Sequence, residues 1–195
     1  MANSLAIFAS GSGSNAEEII NQSRRSGNYH VALIVTNNPD AGVIKRGARL
    51  DVPVLVLSKK ILNGEGIGKI LENWSIEYIV LAGYLKLIPD ALIRQFSHKI
   101  INIHPALLPS YGGKGMYGDN VHKAVIDAGE KESGITIHEV NEKYDEGQIL
   151  FQANCPVLKG DTPETLAERI HSLEHQHYPV FLEYWVRGEI YPGPK

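Results

Sequence analysis

The sequence predicts an α/β fold of the Rossmann-like, doubly wound kind, with a mostly parallel sheet and a mixed C-terminal portion. Three observations carry this. Short β-branched runs alternate with segments of helical periodicity. The runs are apolar throughout rather than alternating, so they expect helices over both faces, as parallel strands do. After His104 the rhythm changes, with two strands close together before a closing helix, which makes the sheet mixed at one side.

The strands are expected at 5–9 (LAIFA), 30–36 (HVALIVT), 52–57 (VPVLVL), 78–83 (YIVLAG) and 99–104 (KIINIH), and helices at about 15–26, 41–50, 61–74 and 89–96 fill the gaps. A long loop follows, then a helix near 120–129, strands near 134–140 and 148–157, and a closing helix from about 163. That helix brings Leu166, Ile170, Leu173, His177 and Phe181 near one face; Thr162 and Pro163 are start signals, and Pro179 is expected to kink it. No repeat, low-complexity tract or long polar linker divides the sequence, so residues 1–195 are expected to form one domain.

Composition excludes several functions. No stretch approaches the roughly 18 uncharged apolar residues of a membrane span. The start lacks a charged segment followed by a long apolar one, which points to the cytoplasm. A net charge of −3 gives no basic field for nucleic acid. The single cysteine, Cys155, rules out an internal disulfide and reads as a small core residue.

The stretch GSGSNAEEII, Gly11 to Ile20, lies between a strand and a helix start. Free backbone N–H groups at the positive end of a helix dipole suit an anion, and phosphate is the natural guest. The spacing Gly11-x-Gly13-x-x-Ala16 also fits the dinucleotide fingerprint, but the second strand ends VTNNPD, without the ribose-binding acid; Asp40 comes late, in a turn. Nor does a Lys follow as in a P-loop, since Asn15 and Ala16 come after Ser14. With Ser12, Ser14 and Asn15 crowding one helix start, a phosphomonoester site is the reading; the alternative is a capping box of Ser14 and Glu17 around a simple turn.

A second constellation begins where the fifth strand ends. Asn102 and His104 are two apart and share a face of an extended strand. An amide donor beside an imidazole suits a reaction in which a carbonyl oxygen gains negative charge. Asp145, in the Gly-containing turn of NEKYDEGQI, could return to orient His104 and hold it charged.

The segments ASGSGSN, LAGYLKLIPD, NIHPALLPSYGGKGMYGDNVHKAV, GITIHEVNEKYDEGQILFQ and ERIHSLEHQHYP together resemble the phosphoribosylglycinamide formyltransferases, folate-dependent transformylases of purine synthesis. The resemblance runs from the first strand to about Tyr184. It implies attack by the amine of glycinamide ribonucleotide on the formyl carbon of 10-formyltetrahydrofolate, without a metal. Asn102 and His104 would then stabilise the oxyanion, His104 would protonate the departing folate nitrogen, and Asp145 would hold His104 charged. Gly13, Ser14 and Asn15 would take the phosphate, and Glu174 the ribose hydroxyls. Leu85, Lys86, Leu87 and Ile88 would line the pterin pocket largely through backbone groups, with Asn102, Val140 and Asn141 beside them. The implied partners are small molecules, and the implied state is a monomer or homodimer. Two departures stand out: Leu85-Lys86 replaces the Met-Arg frequent in the family, and the Arg that meets the folate tail has no clear counterpart, leaving Lys59, Lys60 or Lys86 as substitutes.

His171 and His175, four apart on one helix, have a spacing that can bind zinc if His122, His138 or Asp145 supplies a third ligand, but solvated or packed histidines are the favoured reading. The segment YGGKGMYGDN reads as a mobile loop near the site or a long surface connection, and Lys114 within it as a contact for the anionic substrate. An enzyme, a binding module without turnover, and a zinc hydrolase thus make different predictions.

Overall fold

In the computed structural model, residues 2–58, 61 and 65–193 are described. The elements run β1 (Asn3–Phe8), α1 (Ser14–Ser26), β2 (Tyr29–Thr36), α2 (Gly42–Arg49), β3 (Val54–Val56), α3 (Glu65–Asn73), β4 (Tyr78–Leu81), α4 (Asp90–Gln95) and β5 (Ile100–His104). They continue with α5 (Asp119–Asp127), β6 (Glu132–Glu139), β7 (Ile149–Pro156) and α6 (Pro163–Trp185). The third helix is described from Glu65; of the start expected near 61, residues 62–64 lie outside the described residues.

All seven strands join one sheet in the order β3-β2-β1-β4-β5-β6-β7. The first five pair in parallel, while β6 and β7 are antiparallel additions. The apolar runs explain the double cover. On β1, Leu5 and Ile7 enter a core with Ile19 and Ile20 of α1 and Leu166 and Ile170 of α6. Ala6 and Phe8 point the other way, into a core with Ile67 and Leu71 of α3 and Leu92 of α4. Burying each large side chain contributes about 1.5–3 kcal/mol, and a strand buried on both faces collects this at every position.

The closing helix opens with a reciprocal cap: Thr162 Oγ1 accepts from the Thr165 N–H at 3.3 Å, and Thr165 Oγ1 from the Thr162 N–H at 2.9 Å. Pro179 does not end it, because the helix runs on to Trp185. Tyr178, fully buried, donates its hydroxyl to the Leu81 carbonyl at the end of β4 (3.0 Å). One turn earlier on the same face, Glu174 is thereby aimed at the C-terminal ends of the strands. Among the described residues no helix is long and apolar enough to cross a membrane.

Candidate active site

The strands β1, β4 and β5 end on a crevice of about 570 Å³. It lies where the strand order reverses, since the chain winds outward from β1 to β3 and returns to β4 on the other side of β1. At such a switch point successive crossovers leave on opposite faces of the sheet and a cleft opens between them. Its walls include Gly13, Ser14, Asn15 and Glu174, the 85–88 segment, Val140 and Asn141, and Asn102, His104 and Asp145.

Gly13 caps α1 in the left-handed region (φ 79°), with no side-chain cap. A Cβ there would stand 2.5 Å from Val43 Cγ2 and 2.9 Å from its Cα, so only glycine fits. The Ser14–Glu17 capping box does not form: Ser14 is already helical, and the Glu17 carboxylate instead pairs with Arg46 and Arg49 of α2. The Gly11 carbonyl accepts from the Val43 N–H (3.1 Å) and the Ser12 carbonyl from Arg46 Nε (2.8 Å). Across a trans peptide the next N–H points the opposite way, so Ser12 and Gly13 direct theirs away from α2. Among the described residues, Ser14, Asn15 and Ala16 donate their N–H groups to no protein acceptor. Gly13→Ala is expected to cost about 1–2 kcal/mol from backbone strain alone, before the clash. Thermal unfolding checks this: a Tm lower by at least about 2 °C is expected, and an unchanged Tm would show that the turn relaxes freely.

Asn15 Nδ2 donates to Glu174 Oε2 at 2.9 Å. Burial raises the Glu174 pKa above the ordinary carboxyl value, and the Asn15 hydrogen bond offsets only part of this. At the centre, β5 lies antiparallel to β6 with Asn102 opposite His138. The His138 Nδ1 is 2.7 Å from the Glu139 carbonyl, which can only accept, so the proton sits on Nδ1. Its Nε2 lies 3.1 Å from Asn102 Nδ2, a contact that fixes the plane of the amide.

The same logic fixes His104. Its Nε2 donates to the Tyr111 carbonyl at 2.8 Å, leaving Nδ1 as the position where a proton can come and go. Nδ1 is 3.6 Å from Asp145 Oδ2, and His138 Nε2 is 3.6 Å from Asp145 Oδ1, both beyond hydrogen-bond length. One carboxylate therefore stands between two imidazoles. Asp145 holds this place in a left-handed conformation (φ 57°), with Oδ2 accepting the Gly113 N–H at 2.9 Å. A Cβ on Gly112 would stand 2.6 Å from Leu108 Cδ2 and 3.1 Å from Asp145 Cβ, so any other residue there would have to displace the Leu108 side chain and press on the carboxylate's own.

Burial alone would raise the Asp145 pKa, but His138, His104 and the Gly113 N–H together hold it below the ordinary carboxylate range. Burial lowers the His104 pKa below its ordinary value, and Asp145 and the Tyr111 carbonyl oppose this without overcoming it. Asp145 thus favours the charged ring, as expected, while desolvation of a nearly inaccessible side chain works against the carboxylate 3.6 Å away.

The 82–89 segment between β4 and α4 is irregular. Among the described residues, no hydrogen bond engages the N–H groups of Lys86, Leu87 and Ile88 or the carbonyls of Leu85, Lys86 and Leu87. A row of free donors and acceptors is what recognition through the backbone requires. Lys86 and Lys114 also border the crevice, whereas Lys59 and Lys60 lie outside the described residues. His171 and His175 are stacked with ring centroids 6.4 Å apart. Among the described residues no three His, Cys, Asp or Glu converge as a metal site.

The sequence profile of a family described as formyl transferase matches residues 3–182. The chain belongs to the formyl transferase family. Among its relatives, the chloroplastic phosphoribosylglycinamide formyltransferase of Arabidopsis thaliana is 46% identical over 181 residues, which are 89% of this chain and 62% of that protein. The phosphoribosylglycinamide formyltransferase of Haemophilus influenzae is 33% identical, covering 95% and 88%. A solved structure of glycinamide ribonucleotide transformylase 1 from Geobacillus kaustophilus superposes with a TM-score of 0.85 at 38% identity, covering 94% of this chain and 98% of that one. The chain spans less than two thirds of the length of the plant relatives it matches.

Within this formyl transferase frame, three contributors escaped sequence reasoning. His138, which the sequence offers only as a third metal ligand, instead orients Asn102. The Tyr111 carbonyl sets the His104 tautomer, and a backbone group leaves no mark in a sequence. Arg46 braces the glycine loop from α2, a helix with no evident connection to it along the chain.

Proposed function

We propose that this chain transfers the formyl group of 10-formyltetrahydrofolate to the amine of 5-phosphoribosylglycinamide, giving formylglycinamide ribonucleotide and tetrahydrofolate in purine synthesis. The observation that carries the reading is the meeting, in one crevice, of free N–H groups at the start of α1 with the Asn102–His104–Asp145 cluster. The phosphate sits at the helix start, Glu174 meets the ribose, and the free backbone of 85–88 takes the edge of the pterin, with Asn102, Val140 and Asn141 nearby.

Neutral His104 enters with Nδ1 bare and Nε2–H on the Tyr111 carbonyl. As the amine attacks the formyl carbon, negative charge gathers on the formyl oxygen, where Asn102 donates a hydrogen bond. The amine nitrogen becomes positive and passes a proton to Nδ1; the imidazolium so formed is stabilised by Asp145 and by the oxyanion. Nδ1 returns this proton to the folate nitrogen as the carbon–nitrogen bond breaks, and the ring ends as it began. A lowered pKa suits this shuttle, because the ring must be able to accept before it donates. The amide and the imidazole supply the charge stabilisation, so the step needs no Lewis acid. The same reading takes residues 1–195 as one domain, with reduced folate and glycinamide ribonucleotide as partners, working as a monomer or homodimer in the cytoplasm.

The test is release of 5,8-dideazafolate from 10-formyl-5,8-dideazafolate, followed with and without glycinamide ribonucleotide. Release only with the ribonucleotide is expected. Equal release without it would indicate a hydrolase, and binding without release a non-catalytic module. Ser14→Glu, which sets a carboxylate against the free N–H groups, should raise the KM for the ribonucleotide at least about tenfold, or about 1.4 kcal/mol, and that for the folate far less. Equal changes in both would place the phosphate elsewhere.

A further inference from the structure

We infer that Ser10, which no sequence motif marked as part of the chemistry, is the positioning residue that sets the folate segment at its height beside the phosphate loop; this rests on the reading of 85–88 as that segment. Ser10 stands two residues past β1, is 6% exposed, and immediately precedes the glycine loop. Its N–H donates to the Gly83 carbonyl at 3.0 Å, and its carbonyl accepts from Asn38 Nδ2 at 3.3 Å. Its hydroxyl works in both directions, donating to Asn37 Oδ1 at 2.5 Å and accepting the Leu85 N–H at 3.0 Å. Four bonds on one residue thus join the ends of β1, β2 and β4 at the point where the strand order reverses.

The consequence lies in what the hydroxyl leaves free. By taking the Leu85 N–H it fixes the first peptide of the segment, and the groups that follow, from the Leu85 carbonyl to the Ile88 N–H, are held without protein partners of their own. A row of backbone groups recognises a planar heterocycle only if its height is fixed in advance, since the peptides are otherwise free to turn their donors away. Gly83, with φ 74°, gives the chain two residues before Leu85 a soft joint; the Ser10 N–H holds its near side and the hydroxyl its far side, at Leu85. Ser10 touches neither substrate in this arrangement and acts through Leu85.

Removing the hydroxyl should therefore weaken one ligand and not the other. In fluorescence titrations of 5,8-dideazafolate, Ser10→Ala should raise Kd about tenfold, a typical effect of leaving a partly buried N–H unpaired. Its KM for glycinamide ribonucleotide should change by less than about twofold, and its unfolding should stay cooperative. Asn37→Ala removes the anchor of the hydroxyl but not the acceptor for Leu85, and should give a smaller loss in the same direction; it reads the same bond if Ser10→Ala does not fold. The double variant should be no worse than Ser10→Ala alone. Wild-type analogue affinity in Ser10→Ala, or equal losses for both ligands, overturns the inference. A wild-type chain that binds no analogue overturns the folate reading and this inference with it, whereas a binding wild type with unchanged variants overturns this inference alone.

Discussion

Replacing Asp145 with asparagine is expected to lower turnover at pH 7.5 at least about a hundredfold, within the usual range for losing acid–base catalysis. Asparagine keeps the shape and can still accept the Gly113 N–H, but the imidazolium formed midway loses its counter-charge. The direction of the pH effect separates two mechanisms. Asp145 raises the His104 pKa against the stronger lowering by burial, so its removal lowers that pKa further. If neutral His104 is the form that begins the reaction, the acid limb of the kcat/KM profile must move to lower pH in Asp145→Asn. If a standing imidazolium is needed instead, activity in the variant will fall away earlier as pH rises, and that result would reject the shuttle. His104→Ala should be about as damaging, and the double variant scarcely worse than the worse single one, because the two residues act as a unit. Losses that simply multiplied would break the coupling.

The second large effect is at Asn102. Truncation to alanine removes the donor to the formyl oxygen and should cut kcat about a hundred- to a thousandfold, as for other lost oxyanion donors. The KM values should move little, since the hydrogen bond strengthens only as charge develops. The role of His138 is measurable in the same experiment. His138→Ala leaves the amide in place but frees its plane, so it should cost part of the same effect and add little on top of Asn102→Ala. A His138→Ala loss that multiplied fully with that of Asn102→Ala would mean that His138 acts on its own.

Much of this site was legible because its parts are local in the chain. The glycine loop lies between a strand and a helix within a few residues, and a strand period of two puts Asn102 and His104 on one side. The five parallel strands were legible for the same reason, since unbroken apolar runs state their own burial. What escaped depends on tertiary placement. Asn102 meets His138 across 36 residues of chain through the antiparallel register of β5 and β6, which no local pattern specifies. The Ser14–Glu17 pair has the spacing of a capping box, yet Arg46 and Arg49 claim the glutamate from α2. The environment of His104 is only half legible for a related reason: a nearby acid can be guessed from sequence, but the burial that opposes it is a property of the packed protein.

The pairing of β5 with β6 also divides the site by how it can open. Asn102, His104 and His138 stand on adjoining interior strands, whose backbone bonds give way only when the whole sheet does. The 82–89 and 112–118 segments that complete the crevice are irregular loops with few such bonds. In amide exchange the first set belongs with global unfolding and the second with local opening. Warming or mild denaturant therefore loosens the grip on the ligands, and the hold of Gly113 on Asp145 with it, while Asn102, His104 and His138 keep their places on the sheet.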